Sequence, residues 1–220
     1  MNKLSKRIEN LPASATLAMA AKARELKNKG VDVISLSLGE PDFNTPDFIK
    51  QAAIRAIEEN YHSYPPVDGY LELKKAICEK FKRDNSLNYE PSQIIVSTGA
   101  KQSIANVCMA LLNKGDEVLL PAPYWVSYSA IVTLSEAKFK IIPTSMENGF
   151  KMTAAQLKSS LTSKTKLIMF NSPNNPSGIV YSEKELNEFA KILEDYPSVY
   201  VLSDEIYEHI IYGEKHFSFA

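Results

Sequence analysis

Near the end of the sequence, the run VYVLSDEIYEH, beginning at Val199, carries β-branched and aromatic residues into an Asp, a Glu and a Tyr. That is the pattern of a buried strand delivering polar groups at its carboxyl end. A carboxylate in that position is costly without a cationic partner, and a protonated heterocyclic nitrogen would serve Asp204. Tyr207, three residues on, would then offer a phenol to an adjacent ring oxygen. The simpler reading makes Ser203 or Asp204 a helix N-cap with Glu205 in the first turn, and the two readings are compatible. Three further clusters share this placement after an apolar run. STGAKQS opens a helical pattern, so the backbone amides of Gly99, Ala100 and Lys101 would stand at the positive end of a helix dipole, an anion site suited to phosphate. Taken alone, a Gly-assisted strand-to-helix turn is the commoner explanation. The segment matches neither GxGxxG nor GxxxxGK[ST], which argues against a dinucleotide fold and a P-loop NTPase. Trp125, the only Trp, sits in PAPYWVSY, where it either packs in the core or stacks on a planar ring. In NSPNNPSG the prolines stiffen a turn that presents Asn175 as a fixed hydrogen-bond partner, or form a plain turn.

Such groups need elements to position them. The spacing predicts a helix from Ser14 or Thr16, as cap, to about Gly30, then a strand over 31–39 ending in the loop GEPDFNTP. Helices are predicted over 46–60, 70–85, 100–115, 124–135, 153–160 and 182–196. Strands are predicted over 94–99, 117–123, 138–144, 166–171 and 199–204. Residues 3–12 are polar and lack periodicity, as expected of an arm. Strands alternating with helices at these lengths imply right-handed βαβ units and a mostly parallel sheet. The continuously apolar runs IIV, EVLL, LIMF and VYVL suit strands covered on both faces, so the expected architecture is a three-layer α/β/α fold. In an open α/β sheet, ligands bind beyond the carboxyl ends of the strands, so the four polar clusters should converge on one crevice.

Composition narrows the partners. Lys+Arg 25 against Asp+Glu 26 gives a formal net charge of −1, which excludes an overall field drawing the chain to nucleic acid or an anionic membrane. No apolar span approaches the ~20 residues of a transmembrane helix. The N-terminal ASATLAMAA run is interrupted upstream by Glu9, Asn10 and Pro12, so it reads as a helix start rather than a signal peptide. Cys78 and Cys108 lie in helical patterns without a CxxC pair, which points to free thiols in a reducing cytoplasm. His62, His209 and His216 lack the spacing of a metal set.

In this order and at these separations, GEPDF, SYPPVDG, STGAKQ, PAPYWVSY, NSPNNPSG and SDEIYEH closely resemble the class I aminotransferases of the fold-type I pyridoxal 5′-phosphate (PLP) superfamily, bacterial aspartate aminotransferases above all. The resemblance covers nearly the whole chain. It implies a division into 1–44, an N-terminal arm with the first part of a small domain, and 45–220, an incomplete PLP-binding large domain. By the same resemblance, Gly99, Ala100 and Lys101 cradle the cofactor phosphate, and Trp125 stacks on the pyridine ring. Asn175 and Tyr207 hold the ring hydroxyl oxygen, and Asp204 keeps the ring nitrogen protonated. Tyr64 reaches the phosphate of a neighbouring subunit, implying a homodimer. Gly39 contacts the substrate α-carboxylate, with Trp125 and Asn175 also lining the substrate site. Ser14, Thr16 and Lys101 receive a distal carboxylate, although Ser14 and Thr16 also suit helix capping. The implied reaction moves an amino group between aspartate and 2-oxoglutarate. The family's catalytic Lys is expected beyond Ala220, so the sequence reads as the N-terminal part of a longer cytoplasmic enzyme, inactive by itself. A β-lyase or an aminocyclopropane-carboxylate synthase on the same scaffold, or a non-enzymatic fragment, are the alternatives.

Overall fold

The computed structural model describes residues 4–11, 13, 15–36, 39 and 42–220. Ser14, expected as a cap or carboxylate ligand, lies outside them. The described helices are α1 (Lys6–Glu9), α2 (Ala15–Asn28), α3 (Asp47–Glu58), α4 (Leu71–Asn85), α5 (Ala100–Leu111), α6 (Ser127–Leu134), α7 (Ala154–Ser160) and α8 (Glu183–Leu193). The strands are β1 (Glu117–Pro121), β2 (Lys138–Ile142), β3 (Thr165–Asn171) and β4 (Tyr200–Asp204). The chain forms two compact units, one of residues 1–11 with 68–220 and one of 12–67.

In the larger unit all strand pairs are parallel and the order is β2-β1-β3-β4. Parallel strands need long crossovers, and α6, α7 and α8 supply them. Period-two alternation in the strands then splits the apolar residues between the two faces. Val118, Leu120, Leu167 and Met169 pack with Ile104 and Cys108 of α5 and with Tyr128, Ile131 and Val132 of α6. Leu119, Ile168 and Phe170 turn to the other face, where Leu157 of α7 and Leu186 and Phe189 of α8 cover them. This is the expected three-layer arrangement. Capping boxes start both covering helices of the second face: Thr153 with Gln156 before α7, and Ser182 with Glu185 before α8.

From β1 the chain crosses to β2 on one side, then returns past β1 to β3 on the other. The order therefore reverses between β1 and β3, the position at which open α/β sheets form their ligand crevice. Register places Asn171 directly opposite Asp204 at the carboxyl ends of β3 and β4.

Three expectations differ. Residues 94–97 are extended but join no sheet among the described residues. The Val96 amide bonds the Asp68 carbonyl at 3.0 Å, and Ile95 is 72% exposed, so an apolar run alone did not produce a strand without a neighbour to pair with. For the same reason residues 31–36, in the smaller unit, are irregular, with Ile34 and Leu36 exposed and no described strand beside them. The segment read as an arm contains the four-residue helix α1, exposed but in contact with α6.

In the smaller unit α2 ends as expected. Gly30 takes φ +80° and the Val31 amide reaches back to the Leu26 carbonyl at 3.1 Å, closing the left-handed C-terminal turn. Thr16 lies one residue inside α2, so it does not cap that helix. Among the described residues, no helix is long and apolar enough to cross a membrane.

Candidate active site

Gly99 precedes α5 at φ +84°, a conformation that side chains rarely adopt, and this turns the chain sharply into the helix. Its own amide is bonded to the Ser97 carbonyl at 2.8 Å, and the Thr98 amide is taken by Gln102 Oε1 at 2.5 Å. That leaves the amides of Ala100 and Lys101, at the first two helical positions, without an intrahelical acceptor and at the positive end of the α5 dipole. Two of the three expected residues, Ala100 and Lys101, thus offer their amides at this helix end, and Gly99 contributes the turn. The exposed Lys101 ammonium stands 4.8 Å from the centre of the Trp125 indole ring, so the α5 N-terminus and the loop after β1 meet.

Trp125 is half-buried on that loop, edge-on to Tyr128 at 5.6 Å between ring centres and 89° between planes. The loop after β3 is tied to it by Asn174 Nδ2, which donates to the Pro123 carbonyl at 3.3 Å. Asn174 Oδ1 also accepts from the Ser177 amide at 3.1 Å and its hydroxyl at 2.7 Å, closing the turn internally. The buried Asn171 fixes the other side. Its Nδ2 donates to the Asp204 carbonyl at 3.0 Å and its Oδ1 accepts the Asn175 amide at 2.7 Å. One amide side chain thereby couples the ends of β3 and β4. Asn175 Nδ2 lies 3.5 Å from the Tyr207 hydroxyl, a long separation that leaves both groups able to meet one shared oxygen.

Asp204 is half-buried at the end of β4, and both carboxylate oxygens are engaged by its own chain. Oδ1 accepts the Ile206 amide at 3.2 Å and Oδ2 accepts the Tyr128 hydroxyl at 2.6 Å. The Ile206 bond makes a short Asx-type turn, since residues after Asp204 form turns rather than the helix that the capping alternative required. Among the described residues, neither oxygen meets a cationic side chain. Burial first, then the Asp204 charge, pushes the Tyr128 phenol far above its usual range, so it remains a donor.

Behind the strand end, Glu205 holds the last residues of the chain. Its Oε1 accepts from Ser203 Oγ at 2.6 Å, Ser218 Oγ at 3.0 Å and the Phe219 amide at 3.0 Å, while Oε2 lies 3.0 Å from His216 Nε2. Glu205, Glu208 and His216 bring possible ligand atoms within 4.8 Å of one another, and Glu208 is already paired with Lys80 and bonded to Asn85. These contacts form an ion-pair and hydrogen-bond staple.

The four polar clusters therefore meet within the larger unit, as the strand-end placement required. Gly39 and Tyr64 belong to the smaller unit and are both exposed, Tyr64 completely. Sequence reasoning missed Tyr128, Asn171 and Asn174. A Tyr in a predicted buried helix demands a hydroxyl partner, which is the signal that could have found Tyr128. Which of several asparagines in NSPNNPSG faces inward was not encoded in composition.

The class I and II aminotransferase family model matches residues 31–220. A Rickettsia felis protein named "Probable aspartate/prephenate aminotransferase" is 50% identical over 217 residues, covering 99% of this chain and 53% of that protein. The aspartate aminotransferase of Bacillus sp. strain YM-2 is 49% identical over 219 residues, covering 99% of this chain and 55% of that protein. Among solved structures, the aspartate aminotransferase of Thermus thermophilus with maleate superposes with a TM-score of 0.96 at 42% identity, over all of this chain and 57% of that one. The chain spans about half the length of the curated relatives it matches. With this fold, this crevice and these matches together, the chain belongs to the class I and II aminotransferases, a family dependent on pyridoxal 5′-phosphate.

Proposed function

We propose that the whole protein of which this chain is part transfers an amino group between a dicarboxylic amino acid, aspartate, and a 2-oxo acid, 2-oxoglutarate, using PLP. The observation that carries the reading is Asp204, a half-buried carboxylate at the crevice with both oxygens oriented and no cationic side chain against it among the described residues. Each oxygen keeps an acceptor lone pair for a protonated ring nitrogen. The residues present fit the cofactor. Ala100 and Lys101 offer amides to its phosphate, Trp125 a ring to stack on its pyridine, and Asn175 and Tyr207 donors to its ring oxygen. Bound there, the cofactor supplies an electron sink for the carbanion left when the substrate Cα loses its proton. Asp204 holds the proton on the ring nitrogen, and Trp125 and the tightened turns fix the ring plane. Gly39 offers a backbone contact to the substrate α-carboxylate, and Thr16, Ser14 and Lys101 receive the distal carboxylate. Relatives named for aspartate and prephenate, and a relative's structure with maleate, share dicarboxylic acids as their named compounds, which supports that substrate class.

The reading extends to a cytoplasmic homodimer in which Tyr64 serves the second subunit's phosphate, to a small-domain segment 1–44 preceding a cofactor domain 45–220, and to a 220-residue chain inactive by itself. The test is to load the full-length protein with PLP and assay aspartate with 2-oxoglutarate. Formation of oxaloacetate and glutamate is expected. Release of ammonia and pyruvate from β-substituted amino acids without amino transfer would replace this reading with a β-lyase.

A further inference from the structure

We propose that Tyr128 is the positioning residue of the site, its buried phenol fixing the rotamer of the Asp204 carboxylate and linking it to the Trp125 ring. The assignment rests on the proposed function, because it concerns how Asp204 meets the ring nitrogen. Tyr128, on α6, is only 1% exposed in the core shared with α5, β1 and β3, yet its hydroxyl emerges at the end of β4 and donates to Asp204 Oδ2 at 2.6 Å. The opposite oxygen is fixed by the Ile206 amide, so the carboxylate is held at two points and cannot rotate without breaking one. The same Tyr128 ring stands edge-on against Trp125. One rigid side chain therefore sets both the height of the carboxylate and the tilt of the stacking indole, two surfaces that must agree with a single planar ligand. Lys101 stands over the Trp125 ring, the Tyr207 phenol adds to the upward push on Tyr128, and Asn171 Nδ2 donates to the Asp204 carbonyl.

Removing the hydroxyl separates this role from packing. Tyr128→Phe keeps the ring, the edge-on contact and the core volume, and deletes only the donor. In the full-length PLP-loaded protein, Tyr128→Phe should bind PLP stoichiometrically but about tenfold or more weakly, the scale of one hydrogen bond to a charged group. The pH midpoint of the bound cofactor's visible absorbance should shift, and kcat should fall while KM for aspartate stays nearly constant. Repeating the change in an Asp204→Asn background should produce no further spectral shift, since the hydroxyl acts through the carboxylate. Site-specific 3-fluorotyrosine at 128, which retains the ring and strengthens the donor, should move the midpoint the opposite way. It tests the same bond should Tyr128→Phe not fold. A wild-type protein that binds no PLP would overturn this assignment together with the proposed function. Wild-type binding with no change of midpoint in either variant, or an equal shift in both backgrounds, would overturn this assignment alone.

Discussion

A carboxylate at the end of an apolar strand, where the sequence places Asp204, needs partners, and in the structure it has more than the Ile206 turn bond. Its two oxygens are oriented by a backbone amide and a buried phenol, which is more definition than a capping residue requires. If it holds the proton on the cofactor ring, Asp204→Ala in the full-length enzyme should lower kcat by about 10³-fold or more, and Asp204→Glu should retain more activity. Steady-state turnover of aspartate and 2-oxoglutarate measures this, and near-normal kcat in Asp204→Ala would reduce the residue to a turn former. The residues legible beforehand were those whose chemistry is unusual for their position: the lone Trp125, the carboxylate, the glycine before a helix. Asn171 and Tyr128 were not, because a buried amide and a buried phenol are defined by whom they touch, and those partners lie 33 and 76 positions away in sequence.

At the scale of elements, periodicity located helices α2 to α8 and the four sheet strands, most plainly where α5, α6, α7, α8, β1 and β3 bury apolar residues at the spacing their patterns advertise. It failed for 31–36 and 94–97, where the pattern was right but a strand also needs a paired backbone, which no single segment can specify. Helix α8 shows what local signals do well. Ser182 Oγ accepts the Glu185 amide at 3.4 Å, while Glu185 Oε2 accepts the Ser182 amide at 2.8 Å and the Lys151 ammonium at 3.0 Å. Ser182→Ala should cost about 1 kcal/mol of unfolding free energy in a urea titration. Burial alone would raise the Glu185 pKa, but the Ser182 bonds and Lys151 together hold it below its ordinary 4.5. A lowered folded-state pKa stabilises above the unfolded value and is lost as pH falls through the folded one. Glu185→Gln should therefore be less stable than wild type at pH 7, and the gap should close below about pH 4.5. A gap that is independent of pH would assign the effect to packing. On the same face Phe189, 1% exposed between Phe170 and Tyr181, should lose about 3–5 kcal/mol as Phe189→Ala.

For the whole molecule, Tyr64 is the residue whose proposed role reaches beyond a single chain. It follows Ser63 and precedes two prolines, so its backbone is held extended, and its side chain is fully exposed at 103%. An exposed aromatic on a stiffened loop suits contact with a second copy, and the family correspondence directs its hydroxyl to the phosphate of that copy. Complementation distinguishes a shared site from a private one by counting intact sites. A full-length Tyr64→Ala subunit and a full-length subunit lacking the cofactor-binding lysine should each be nearly inactive as homodimers. In a hybrid of the two, a shared arrangement creates one site with both intact residues and one with neither, so each hybrid should recover up to about half the activity of a wild-type dimer. If Tyr64 served its own subunit, each site of the hybrid would still carry one defect and no activity would return. Native mass spectrometry of differently tagged subunits confirms that hybrids form, and hybrids without activity would return Tyr64 to its own chain.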